Sequence, residues 1–201
     1  AFLGAIQENE PLKNLFTVAL FTGLREGEIC GLSWESVNFH DGTITVKQQL
    51  CKEKVKGGQH YIAATKNDKS RVLTVAPFVT DILRAVHREQ MQNHLACGLA
   101  WQNEYNLVFT DKSGHFIVPQ TALKRFKAVA NKIGRPDARF HDLRHTYAVT
   151  ALQEGDDVKT VQENLGHATA SFTLDVYGHV SEKMKQESAR RMQSYFDKIN
   201  A

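Results

Sequence analysis

The sequence predicts an α+β fold, mainly α-helical, with a small three-stranded antiparallel β-sheet. Three observations carry this expectation. Over most of the chain, apolar residues recur at helical spacing, in segments opened by proline or aspartate and closed by glycine. Between Gly42 and Ala76 the period changes to two, in three short runs. With 201 residues, 42% hydrophobic and 23% charged, the chain is long enough to bury a core and has the composition of a globular protein.

Taken in order, residues 10–22 (EPLKNLFTVALFT) read as a helix stopped by Gly23. A second helix is expected from Arg25 to about Trp34. The Gly23–Leu24–Arg25 turn then sets Arg25 at a helix N-terminus, where backbone N–H groups face anions. Glu28, one turn on, is spaced to hydrogen-bond and orient that guanidinium. GTITVKQQL, HYIAATK and SRVLTVA read as the three strands, with turn regions at Gly57-Gly58 and Asn67-Asp68. Lys47, Lys52, Lys54, Lys56, Lys66, Lys69 and Arg71 stud this ribbon. That charge suits a nucleic-acid backbone, and it equally protects an exposed hairpin from edge pairing.

Pro77 opens a long helix, PFVTDILRAVHREQMQNHLA, and YNLVFTDKSGHFIV gives two short extended pieces around a Ser-Gly turn. Pro119 starts a helix ended by Gly134. FHDLRHTYAVTALQEG forms the next, stopped by Gly155, and Asp156–Asp157 caps the short helix VKTVQENLG. A further helix leads to Tyr177, and SEKMKQESARRMQSYFDKIN is a separate amphipathic terminal helix. No repeat, low-complexity tract or linker interrupts the pattern, so residues 1–201 are expected to form one domain. The opening AFLGAIQENE lacks an initiator Met, from which an excised piece with its N-terminal partner domains absent is expected.

Several classes are disfavoured by composition. No apolar run approaches a membrane span and no signal peptide is present, which predicts a cytoplasmic protein with no membrane partner. Cys30, Cys51 and Cys97 are odd in number and lack a C-x-x-C pair, so neither a disulfide frame nor a zinc ribbon is expected. The net charge of +3 does not by itself establish nucleic-acid binding.

The chemistry-bearing residues are Arg25, His141, Arg144, His167 and Tyr177. His141 and Arg144 lie three apart and so share a helix face. Two fixed guanidiniums can grip a phosphodiester and neutralise the extra charge of its transition state. Histidines can move protons, and a tyrosine in line can displace an alcohol from phosphorus. Each residue alone has a plainer reading: a helix-start histidine, an exposed arginine, a helix-capping histidine. Among the tyrosines, Tyr147 sits on an apolar helix face and reads as core. Tyr61, Tyr105 and Tyr195 fall on a strand, a loop border and the terminal helix. Only Tyr177 follows the Gly-His turn and precedes a glycine. A zinc site is the sharpest rival, since His141 and His145 have i, i+4 spacing with His167 or His179 as a third ligand. However, Asp142 stands where the familiar protease motif has glutamate, and nothing else of that motif follows.

Together, GLREGEICGLSW, HDLRHTYAVTALQEG and NLGHATASFTLDVYGHV resemble, in this order, the hallmark boxes of the tyrosine recombinase (phage integrase) family, over nearly the whole chain. The likeness is to its C-terminal catalytic domain, as found in integrases of temperate phages and conjugative transposons. The resemblance implies that Arg25 is the first catalytic arginine, His141 and Arg144 the His-x-x-Arg pair, His167 the later histidine and Tyr177 the nucleophile. The family's catalytic lysine lies on a β-hairpin; TKNDKSR matches it through Lys66, with Lys69 the alternative. The implied activity is metal- and ATP-independent cleavage and rejoining of DNA through a 3′-phosphotyrosyl intermediate, with no cofactor. The implied partners are double-stranded DNA at attachment sites, a homotetramer on that DNA and a directionality factor, in a bacterial host. The isolated fragment is expected to be monomeric. For residues 181–201 two fates stand open: packing on their own domain, or exchange onto a neighbouring subunit. A type IB topoisomerase-like strand transferase and a noncatalytic DNA-binding module are the alternative functions.

Overall fold

In a computed structural model of the protein, residues 1–6, 10–55, 57–65, 70–166 and 181–199 are described, the side chains of 181–185 and 187 aside. The chain divides into two compact units, Ala1–Arg144 and His145–Ala201.

The first unit opens with α1 (Phe2–Ala5) and α2 (Lys13–Thr22). As expected, α2 stops at Gly23, which takes the left-handed conformation (φ 64°) and donates its N–H to the Ala19 carbonyl at 3.0 Å. A residue without Cβ adopts this conformation at no steric cost. The following helix, α3 (Glu26–Cys30), is shorter than the expected run to Trp34. Its end is set by close packing that the apolar pattern does not reveal. A Cβ at Gly31 would lie 2.5 Å from Leu50 N and 2.7 Å from Gln49 C, both backbone atoms of a neighbouring strand. Gln48 Nε2 meanwhile donates to the Gly31 carbonyl at 2.8 Å. The chain leaves this contact and makes a 3₁₀ turn over Trp34–Ser36.

The three-stranded antiparallel sheet consists of β1 (Val37–Asn38), β2 (Thr43–Val46) and β5 (Arg71–Thr74), in the order β1-β2-β5. In addition, β3 (Gln48–Lys52) and β4 (His60–Ala64) form a two-stranded antiparallel ribbon. The predicted run Gly42–Leu50 is therefore two strands that part at Lys47 and take different partners. Ile44 pairs with Leu73, and Leu50 with Ile62.

Proline at the first turn starts both α4 (Pro77–Cys97) and α5 (Pro119–Lys132). Between them, the expected pair of extended pieces reduces to two isolated bridges, Leu107 with Ser33 and Thr110 with Phe116, the latter around a turn in which the Gly114 N–H bonds the Asp111 carbonyl. These elements enclose one core, in which Phe16, Ile29, Ile44, Leu73, Leu83 and Phe126 are buried. Phe2, Phe16, Phe126 and Phe140 meet with ring centroids 5.5–6.2 Å apart. Phe16, Phe126 and Phe140 are buried while Phe2 is partly so, and fully burying one such ring contributes about 1.5–3 kcal/mol. Cys30 lies in this core; burial, assisted by the charge of Glu26, pushes its thiol up to about 12.

Helix α6 (His141–Glu154) crosses the division between the units. In the second unit, Ala148 and Leu152 of α6 pack with Val161 and Leu165 of α7 (Val158–Leu165). Asp157 caps α7 as expected, its Oδ1 accepting from the N–H groups of Lys159 and Thr160 at 2.9 and 3.0 Å. Such a cap contributes about 1 kcal/mol. The helix expected to lead to Tyr177 lies outside the described residues, and the terminal helix α8 spans Ser181–Ile199. Among the described residues, no helix is long and apolar enough to cross a membrane.

Candidate active site

Arg25 is the N-cap of α3, in extended conformation immediately after the Gly23–Leu24 turn. Its partner is Glu28, as the three-residue spacing predicts. The Arg25 backbone N–H donates to Glu28 Oε2 at 2.9 Å, and Arg25 Nη1 to Oε1 at 2.7 Å. A second guanidinium, unexpected from the sequence, sits on the same carboxylate. Arg71, the first residue of β5, donates through Nη1 to Oε1 at 2.9 Å and through Nη2 to Oε2 at 2.6 Å. Four donors thus fill the acceptor sites of one carboxylate. The signal was present in the strand pattern: Arg71 shares a sheet face with buried Leu73, an inward position where an arginine needs a partner.

The side chain of Glu28 is 2% exposed, that of Arg71 12% and that of Arg25 41%. Burial pushes the Glu28 carboxyl up, but the hydrogen bonds and charge of Arg71, joined by those of Arg25, outweigh it and hold the group at about 2. Two guanidiniums and one carboxylate leave this trio with a net positive charge, and Arg25 is its solvent-facing member.

A lowered carboxylate makes stability depend on pH. The contribution of Glu28 is fully present above its ordinary value of 4.5 and is lost as pH falls from there to about 2. The difference corresponds to about 3 kcal/mol. We expect Glu28→Gln to lower stability at neutral pH by about 3–5 kcal/mol, because two arginines lose their shared counter-charge. We also expect the stability difference between parent and variant to shrink between pH 4.5 and 2. Urea unfolding of both proteins across that range checks this, and parallel curves for the two would refute it.

Arg144 is 2% exposed, contrary to the surface arginine of the plainer reading. Its Nη1 donates to the Gly23 carbonyl at 2.7 Å, across 121 residues of sequence. Guanidinium does not shed its proton in a protein, so its burial requires acceptors. One of them is the backbone of the turn that presents Arg25. His141 is exposed at the first position of α6, one turn before Arg144. The start of that helix is fastened by Asp142, which accepts from Arg139 N at 2.8 Å and from Arg139 Nη2 at 3.1 Å.

Arg25, His141 and Arg144 are thus described, whereas Lys66, Lys69, His167 and Tyr177 lie outside the described residues. Of the other tyrosines, Tyr147 is half-buried and its hydroxyl accepts from Asn164 Nδ2 at 3.0 Å, in keeping with a core role. Tyr105 is exposed, and the neighbouring charge of Glu104 raises its phenol, the wrong direction for a nucleophile. Among the described residues no group of three or more His, Cys, Asp or Glu is arranged to hold a metal; His167 and His179 of the zinc alternative are not among them.

The fold and the sequence can both be set against known proteins. The phage integrase family matches residues 2–184, and the chain belongs to that family. A tyrosine recombinase XerC-like protein of Caldanaerobacter subterraneus subsp. tengcongensis is 33% identical over 92% of this chain and 50% of its own length. The ICEBs1 integrase of Bacillus subtilis is 24% identical over 95% of this chain and 51% of its own. The chain spans about half the length of these curated relatives. Among solved structures, the Tn1549 transposon integrase in complex with transposon right end DNA shares the fold with a TM-score of 0.77 at 21% identity, over 96% of this chain and 63% of that one. The catalytic domain of bacteriophage HP1 integrase does so with a TM-score of 0.59 at 18% identity, over 94% of this chain and 88% of that one.

Proposed function

We propose that this chain is the catalytic domain of a site-specific DNA recombinase that integrates or excises a mobile element. The observation that carries the reading is the buried hydrogen bond from Arg144 to Gly23, which ties one candidate phosphate-binding arginine to the turn bearing the other. In the proposed reaction, Arg25 and Arg144 neutralise the non-bridging oxygens of the scissile phosphate, and His167 adds a hydrogen bond. The Tyr177 phenol, with an ordinary pKa of about 10, gives its proton to His141 as its oxygen bonds to phosphorus. The bond from phosphorus to the 5′ oxygen breaks, and that oxygen takes a proton from Lys66, or from Lys69 as the second candidate. A 3′-phosphotyrosyl link and a free 5′ hydroxyl result. Attack by the 5′ hydroxyl of a partner strand reverses the chemistry and releases the tyrosine. One phosphodiester replaces another of similar energy, so the scheme calls for neither ATP nor a metal ion.

The proposed substrate is double-stranded DNA at attachment sites, held by a homotetramer and biased by a directionality factor, in the cytoplasm of a bacterial host. The test is incubation of the full-length protein with a nicked suicide duplex in EDTA. A covalent protein–DNA adduct is expected; its absence with DNA bound would sink the reading.

For α8 we propose exchange onto a neighbouring subunit. Met192, Tyr195 and Ile199, three and four residues apart, form an apolar stripe exposed at 66%, 61% and 62%. Deleting the residues beyond Val180 is expected to abolish synapsis of two DNA sites in a native gel, and unchanged cleavage and synapsis would exclude exchange.

A further inference from the structure

Helix α3 has five residues, far too few to hold its own geometry. The orientation of the Arg25 guanidinium at its N-cap must therefore come from outside the helix. Among the described residues, Glu28 is the one side chain that Arg25 hydrogen-bonds. What fixes Glu28 is Arg71, whose backbone is set by antiparallel pairing with Val46 and whose fork closes on both carboxylate oxygens. A bidentate fork fixes the plane of its partner as well as its distance. The pair also sets the charge at the site. With Arg71 in place, the buried carboxylate already has a counter-charge that is itself almost enclosed, so the half-exposed Arg25 keeps its charge for an anion. Without Arg71, Glu28 would have Arg25 as its remaining arginine partner and would neutralise it.

We propose that Arg71 is a positioning residue for strand cleavage, acting through Glu28 to aim the Arg25 guanidinium and to keep the net charge of the trio positive toward the scissile phosphate. The inference rests on the recombinase reading above. A merely structural ion pair would slow all substrates alike, whereas a device that delivers charge to a phosphate oxygen matters less when that oxygen is gone.

The experiment compares single-turnover adduct formation by the full-length parent, Arg71→Ala and Arg71→Lys proteins. The substrates are two suicide duplexes, one with an ordinary scissile phosphodiester and one in which a methyl group replaces a non-bridging oxygen. Rates are read at saturating protein and below the unfolding temperature of every variant. On the phosphodiester, Arg71→Ala is expected to slow cleavage about 10- to 100-fold, the scale of a misplaced catalytic group. On the neutral methylphosphonate, the same variant should lose less than about threefold, since the charge that Arg25 serves has been removed. Arg71→Lys keeps the charge but not the fork, so it should fall between the two on the phosphodiester. It carries the test alone if Arg71→Ala does not fold. Equal slowing on both substrates, or no slowing on either, overturns the positioning role while leaving the functional reading intact. Failure of the parent to form an adduct on either duplex overturns the functional reading itself.

Discussion

Tyr177→Phe is expected to reduce the covalent protein–DNA adduct to background while leaving the fold and DNA binding unchanged. The substitution removes one hydroxyl and keeps the aromatic ring. In the proposed reaction that oxygen makes the bond to phosphorus, so no residual pathway through the phosphotyrosine survives. Two of the other tyrosines are poorly suited to replace it. The Tyr147 hydroxyl is engaged by Asn164 beside the α6–α7 core, and Tyr105 is driven toward its protonated form by Glu104. Denaturing electrophoresis of end-labelled suicide duplex after incubation with parent and variant gives the answer. Adduct retained by Tyr177→Phe, or lost instead in Tyr147→Phe, would assign the nucleophile elsewhere and break the scheme.

Arg144→Ala is expected to have two separable consequences. Losing a preorganised donor to the transition-state oxyanion costs about 2.7–4 kcal/mol, a fall of roughly 100- to 1000-fold in cleavage rate. The Gly23 carbonyl loses a buried donor at the same time, a stability loss of about 1–3 kcal/mol. Arg144→Lys separates the two effects. An ammonium restores a positive charge and can reach one acceptor, but it lacks the fork that serves a backbone oxygen and a phosphate together. Stability should return in part, with the rate still at least about tenfold down. Thermal unfolding and single-turnover cleavage on the same preparations read both quantities, and parental cleavage by Arg144→Ala would remove this arginine from the chemistry.

Local chemistry made much of this architecture legible. Gly23 ends α2, Pro77 and Pro119 open α4 and α5, and Asp157 caps α7, each for a reason contained in a few adjacent residues. The Arg25–Glu28 contact was legible for the same reason, since its spacing is one helical turn. What escaped depends on residues far apart in the chain. Period-two alternation runs on both sides of Lys47, so it gives no sign that β2 and β3 join different partners. The apolar pattern after Arg25 continues past Cys30, while a strand packed against Gly31 ends the helix there. Arg71 and Glu28 lie 43 positions apart, and an arginine in a lysine-rich ribbon looks like surface charge until its inward register is known. The burial of Arg144 was hidden more completely, because its identified acceptor is a peptide oxygen rather than a side chain.

That choice of acceptor bears on how the site tolerates inheritance. Every amino acid offers the same main-chain oxygen, so exchanging the residue type at position 23 deletes no functional group from the contact. The weakness is one of chain path: a β-branched residue there resists the left-handed bend and would turn the oxygen away. Variation across descendants of this domain should accordingly be filtered at position 23 first by backbone shape, which favours glycine and then asparagine, and then by enclosure, since the position is buried and an unpaired charge there would be costly.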